Sequence, residues 1–158
     1  MLSSAESLGA MSQWLPHKTV ATVVEQAGRF LMVEERVNGE LVYNQPAGHL
    51  EANESLLEGA LRETLEETAW EVTLTGFLGL YQQTSSRENI CYIRSCFIAT
   101  PVRHHAHRSL DSGIVRALWL NREELEERRA QMRSPVVLRV IDDYLRGIRY
   151  PLEVITTL

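Results

Sequence analysis

Cysteine is nearly absent. The 158 residues hold two, Cys91 and Cys96, inside an apolar run that reads as a strand. Five positions apart, they have opposite parity and point to opposite faces. No disulfide between them is expected, and the chain suits a reducing, cytoplasmic setting. Long apolar runs are missing too. None approaches the roughly 18 residues that a membrane span needs, so no membrane partner is expected. An excess of positive charge is also missing: 16 Lys and Arg face 21 Asp and Glu, a formal net charge of −5. That argues against broad binding of nucleic-acid polymers, which needs a basic footprint. A small anionic substrate remains open, because a metal ion can supply local positive charge. Internal repeats, linkers and low-complexity segments are lacking, and the length points to one domain with a real core. The N-terminal "MLSSAESLGAMSQW" has neither a basic n-region nor an apolar core. It reads as a flexible extension over 1–15 ahead of a single domain over 16–158, and Met11 offers an alternative start.

What is present is a regular alternation of elements in a chain of ordinary hydrophobic content, 44%. "HKTVATVVEQ" and "FLMVEERV" are β-branched strands, and Asn38-Gly39 is a hairpin signal leading into "ELVYNQ". Pro46, Ala47 and Gly48 then read as a tight loop before a helix over 54–69. "EVTLTGFLGLYQQT" and "ICYIRSCFIATP" are two long strands joined by "SSREN". "VRHHAHRSLDSG" is a polar loop, and "IVRALWL" is a strand. "NREELEERRAQM" is a helix with Asn121 as N-cap and Glu124 at N3. A last helix is signposted by Ser134 as cap, Pro135 at N1 and Gly147 at its end. The sum is an α/β chain, a mixed sheet with helices on both sides in an α/β/α sandwich.

The first helix carries charge where it is least welcome. Leu57, Leu61, Thr64, Leu65 and Thr68 form one stripe at helical spacing, with Asn53 as N-cap and Glu54 in the first turn. Glu63, Glu66 and Glu67 sit at i, i+3 and i+4, on a face expected opposite that stripe. Each faces the negative end of the dipole, at a cost of about 0.3–1 kcal/mol. Repulsion adds roughly 0.2–0.5 kcal/mol per i, i+4 pair. A solvated acidic face would tolerate this through screening. A site for a hard divalent cation would relieve it, because such ions take carboxylate oxygens.

The residues in front of the helix decide between them. Gly48, five residues, Glu54, seven residues, then Arg62-Glu63-x-x-Glu66-Glu67 resembles the Nudix box of the Nudix hydrolase family. Six residue types fixed over 20 positions seldom coincide by chance. "NQPAGHLEANESL", "RSP" and "RYPLEVI" resemble the bacterial phosphatase NudJ branch of that family, over roughly residues 17 to 155. Three positions depart from the box. Ala69 stands where the family has Gly, Thr64 replaces an aliphatic residue, and Trp70 is a bulky last member. If residue 69 caps the helix with positive φ, Ala costs of order 1 kcal/mol against Gly.

The resemblance implies a Nudix-type α/β/α sandwich and hydrolysis of phosphoanhydrides with Mg²⁺, for which Mn²⁺ can substitute. It implies that Glu63, Glu66 and Glu67 hold the ion with the Gly48 carbonyl. Arg62, flanked by Glu58 and Glu66, would position carboxylates, and Glu54 would support the loop–helix junction. Expected substrates are nucleoside tri- and diphosphates and thiamine pyrophosphate or its pyrimidine precursor pyrophosphate, with orthophosphate released from a monomer or small homo-oligomer. The alternatives are a pyrophosphatase for ADP-ribose or a dinucleotide, and a sensing module without chemistry. The proton acceptor is Glu66 or Glu67, or Asp111 in the loop "SLDSG", where a plain turn residue is the competing reading. His104, His105 and His107 lack zinc-site spacing. Tyr43, Asn44 and Gln45 either line a pocket or serve the core and a turn, and Arg146 and Arg149 read as solvated surface.

Overall fold

β-Branched runs and two left-handed turns build the first half of the molecule. The computed structural model describes residues 13–158, so the expected extension lies almost wholly outside the described residues, as does Met11. The strands are β1 (His17–Gln26), β2 (Arg29–Val37), β3 (Glu40–Asn44), β4 (Ala47–His49), β5 (Trp70–Thr84), β6 (Cys91–His104) and β7 (Ile114–Leu120). The helices are α1 (Leu56–Thr68), α2 (Arg122–Glu127) and α3 (Val136–Leu145). Asn38 and Gly39 turn β2 into β3 with φ of 49° and 84°, the doubly positive hairpin turn that matches strand twist.

The sheet is mixed and it splits. β1 pairs with β2 only at Glu25↔Phe30 and Gln26↔Arg29. Beyond that, β1 runs parallel to β6 and antiparallel to β4, while β2 takes β3 and β7. The two halves open away from their shared hairpin. α1 lies on one face, where Ala60 meets Val20 and Phe97. α3 lies on the other, with Val137, Val140 and Ile141 packed against Ala21, Val23, Phe30 and Cys96. The expected layered architecture is therefore present. Cys91 and Cys96 are both free and buried.

Three local expectations need correction. Ala47 and Gly48 are strand, not loop: they pair with Ala21 and Val20 of β1. The N-cap of α1 is Ser55, not Asn53. Its hydroxyl accepts from Glu58 N–H at 3.1 Å, and the Glu58 carboxylate accepts from Ser55 N–H at 2.8 Å, a reciprocal capping box. Asn53 instead takes φ 66° in the preceding turn, a conformation Asn tolerates better than most residues. Ser134 does not cap α3 through its side chain. Pro135 there already has helical angles, and the Ser134 carbonyl accepts from Val137 N–H.

The rotation of α1 also differs from the leucine-stripe reading. Leu61 is exposed, while Ala60, Glu63, Thr64, Glu67 and Thr68 are buried. A hydroxyl pair between Thr22 and Thr64 at 2.7 Å pins the helix to β1 in this setting. Thr64 also bonds the Ala60 carbonyl at 2.7 Å, so the departure from an aliphatic residue is used twice.

At its far end α1 stops at Ala69, which is left-handed at φ 59°, ψ 16° and donates to Leu65 O. The β6–β7 loop completes the cap, as Asp111 N–H bonds Glu66 O at 3.0 Å and His105 N–H bonds Ala69 O at 2.8 Å. Trp70 follows, edge-on to Trp119 and stacked on His104. Replacing Ala69 by Gly is expected to stabilise the fold by about 1 kcal/mol. That is a rise of about 2–4 °C in Tm by calorimetry.

Asp143 is the polar anchor of α3. Burial alone would raise its carboxyl, but hydrogen bonds from Tyr81, Arg139 and Arg146 overcome that and hold it below the ordinary 3.8. A depressed acid contributes stability above its unfolded value and loses it as pH falls through the folded one. Asp143→Asn should therefore cost about 1–3 kcal/mol at neutral pH. In urea titrations its gap from wild type should close below about pH 3.8.

Candidate active site

Arg62 organises the acidic end of α1. All five of its N–H donors are used. Nε and Nη2 grip the two oxygens of Glu54 at 2.9 and 2.7 Å, Nη1 reaches Glu63 at 2.8 Å and Glu66 at 3.0 Å, and Nη2 also donates to the His49 carbonyl at 3.1 Å. Glu58, expected beside it, belongs to the capping box instead. Glu54 is the missed partner. It precedes the helix, accepts from Glu51 N–H and faces Gly59, where a Cβ would stand 2.8 Å from its oxygen. The glycine inside the helix was the readable signal, since glycine there is costly without a packing reason.

Gly48 is required for the same kind of reason. A Cβ on it would fall 2.2 Å from the Glu63 carboxylate, so only glycine lets β4 lie against the acid. Glu63 is buried. Burial raises its pKa, donation from Arg62 lowers it, and repulsion from Glu66 and Asp111 raises it again. Glu67, also buried, accepts from Ala47 N–H at 2.9 Å through Oε2. Burial first, and then the charges of Glu63, Glu35 and Asp111, push it up to about 9 against that hydrogen bond.

The β6–β7 loop supplies another acid. One carboxylate oxygen each from Glu63, Glu66 and Asp111 lie within 4.8 Å of one another. Asp111 is thus brought to the box by a loop about 45 positions away along the chain. The donors are all carboxylate oxygens and one guanidinium serves them, so negative charge is left in excess. That donor set fits a hard divalent cation such as Mg²⁺ and lacks the imidazole or thiolate of a zinc site.

The other candidates fall elsewhere. His104 stacks on Trp70, and His105 bonds Glu71 at 3.2 Å, so both hold the loop. Tyr43 is core, with its hydroxyl on Glu34 at 2.9 Å. Gln45 is fully buried and bonds Val137 O at 2.7 Å. Arg146 and Arg149 are exposed yet tied, to Asp143 and to the Thr75 carbonyl. Among the described residues, no helix is long and apolar enough to cross a membrane.

The sequence matches the NUDIX domain profile over residues 15–140. It is 40% identical over 140 residues to Phosphatase NudJ of Escherichia coli strain K12, covering 89% of this chain and 90% of that protein. A NUDIX hydrolase from Nitrosomonas europaea superposes with a TM-score of 0.90 at 39% identity, over 91% of this chain and 98% of that one. A UDP-X diphosphatase shares the fold at a TM-score of 0.68 and 19% identity, over 92% of this chain and 71% of its own.

Two substitutions test the geometry. Gly48→Ala should keep the fold but push the Glu63 carboxylate aside, weakening divalent-cation affinity about 10- to 100-fold in a calorimetric titration. Arg62→Lys leaves three donors for five acceptors. It should lower stability by about 1–3 kcal/mol in urea unfolding.

Proposed function

The chain belongs to the NUDIX family and is a hydrolase of phosphoanhydrides homologous to Phosphatase NudJ, and we propose that it is a Mg²⁺-dependent phosphatase. Its substrates are nucleoside tri- and diphosphates and thiamine pyrophosphate or its pyrimidine precursor pyrophosphate, and its product is orthophosphate. The observation that carries this reading is the convergence of Glu63, Glu66 and Asp111 beside one fully engaged arginine.

Glu63, Glu66 and Glu67, with the Gly48 carbonyl, would hold the cation. When bound, Mg²⁺ supplies positive charge at the phosphate oxygens and makes water more acidic. Arg62 keeps Glu63 and Glu66 apart at fixed places and spares them a search for geometry. Asp111, the exposed acid of the group, accepts the proton of the attacking water at a carboxylate oxygen. Its main-chain bond to Glu66 O holds it in reach. Glu67 keeps β4 against α1 through Ala47 N–H, so that Gly48 stays beside Glu63. The setting is cytoplasmic, in keeping with two buried free thiols.

The decisive test is a phosphate-release panel with and without Mg²⁺. It would hold nucleoside tri- and diphosphates, thiamine pyrophosphate and ADP-ribose, with orthophosphate and pyrophosphate read separately. Mg²⁺-dependent orthophosphate from the first three is expected, and activity confined to ADP-ribose would overturn the substrate assignment. Glu66→Gln should lower kcat by about 100-fold or more with an unchanged circular-dichroism spectrum. Asp111→Asn should lower kcat about 100-fold with KM little changed. A retained kcat would remove Asp111 from the role of base.

A further inference from the structure

Thr19 holds the one buried side-chain polar atom without a hydrogen bond among the described residues. Its residue is 6% exposed, and its hydroxyl reaches nothing. A buried hydroxyl left unpaired destabilises a fold, and such a group in a native protein calls for a reason. Its neighbours supply one. Thr19 stands across from Arg94 in β6 and from His49 in β4, so the three side chains share one face of the sheet.

Arg94 is half-buried and underused. Its Nη1 reaches Asn44 Oδ1 and Gln45 Oε1, each at 3.3 Å, long bonds to neutral acceptors. Its Nε and Nη2 donate to no group among the described residues. Two positions before it in β6, the Tyr92 ring stands edge-on to His17 at 5.4 Å. This face lies where β1 parts from β2. His49 on this face directly follows Gly48, which lies against the Glu63 carboxylate on the α1 side of β4.

We infer that Thr19 and Arg94 hold the heteroaromatic part of the substrate by its hydrogen-bond-accepting edge, while the phosphates lie at the carboxylates beyond β4. The inference rests on the hydrolase reading for where the phosphates go. Glu35, 3.8 Å from Arg133 and beside Arg94, offsets part of the positive charge, and the groups Arg94 bonds, Asn44 and Gln45, are neutral amides. A planar ring with carbonyl or imine acceptors suits such a surface of neutral amides, a hydroxyl and one guanidinium. It stacks on Tyr92 and satisfies both the hydroxyl and the free guanidinium donors.

The test compares wild type, Arg94→Ala and Thr19→Val on a nucleoside triphosphate and on inorganic tripolyphosphate, with Mg²⁺. Arg94→Ala should reduce the kcat/KM preference for the nucleoside substrate about 10- to 100-fold, mostly in KM. Thr19→Val should reduce it about fivefold while leaving Tm equal or higher, because it removes an unpaired buried hydroxyl. Equal losses on both substrates would overturn the inference in favour of a phosphate contact, and an unchanged preference would overturn it outright. If wild type cleaves neither compound, the hydrolase reading fails by itself. Calorimetric binding of adenosine and cytidine monophosphates then decides. Weakened binding in both variants supports the ring site, and equal or absent binding in wild type and variants overturns it.

Discussion

The structure turns on one guanidinium among too many acids. A helix C-terminus disfavours negative charge, yet Glu63, Glu66 and Glu67 crowd it, and two of them are buried. Arg62 makes this tenable because its planar fork presents five donors in fixed directions. Each donor meets an oxygen: two of Glu54, one each of Glu63 and Glu66, and the His49 carbonyl. One side chain thereby ties together the turn before α1, the body of α1 and the edge strand β4. It leaves the acids ordered and under-neutralised, the condition a cation site needs.

Much of this was legible from residue patterns, and the misses have physical causes. The box acids stood out because they break the dipole rule, and α2 showed its capping box openly in Asn121 and Glu124. β4 was hidden because three residues are too few to display a period of two. The cap of α1 was misplaced because Asn53 and Ser55 are both good capping types, and the capping-box spacing of Ser55 and Glu58, together with the φ of 66° at Asn53, separates them. The stripe on α1 was right at Thr64 and Thr68, which are buried, and wrong at Leu61, which is exposed while Glu63 and Glu67 are buried. Thr64 and Thr68 bond the Ala60 and Thr64 carbonyls, and the burial of the two acids is a matter of the site, which no hydropathy stripe records.

The splitting of the sheet was equally unreadable. β1 is buried on both faces over Thr19–Val24, so its residues carry no alternation that would reveal where a neighbour changes. Yet the divergence positions the site. It lets β4 replace β2 beside β1, which brings Gly48 against Glu63 and sets Thr19 between His49 and Arg94. Asp111, read from sequence as either a turn residue or a base, sits in a turn, where its carbonyl accepts from Ile114 N–H, and its side chain also lies beside Glu63 and Glu66.

The bond between Asp111 N–H and Glu66 O joins backbone to backbone, and it does so at the last turn of α1 where free carbonyls need donors. The loop is therefore seated by a group that every residue except proline possesses. Position 111 acts as a socket whose location is fixed by the main chain and whose chemistry is set by whatever side chain is plugged in. A lineage could exchange the acid there for an amide or a hydroxyl, altering the charge set beside Glu63 and Glu66, without having to rebuild the loop that presents it.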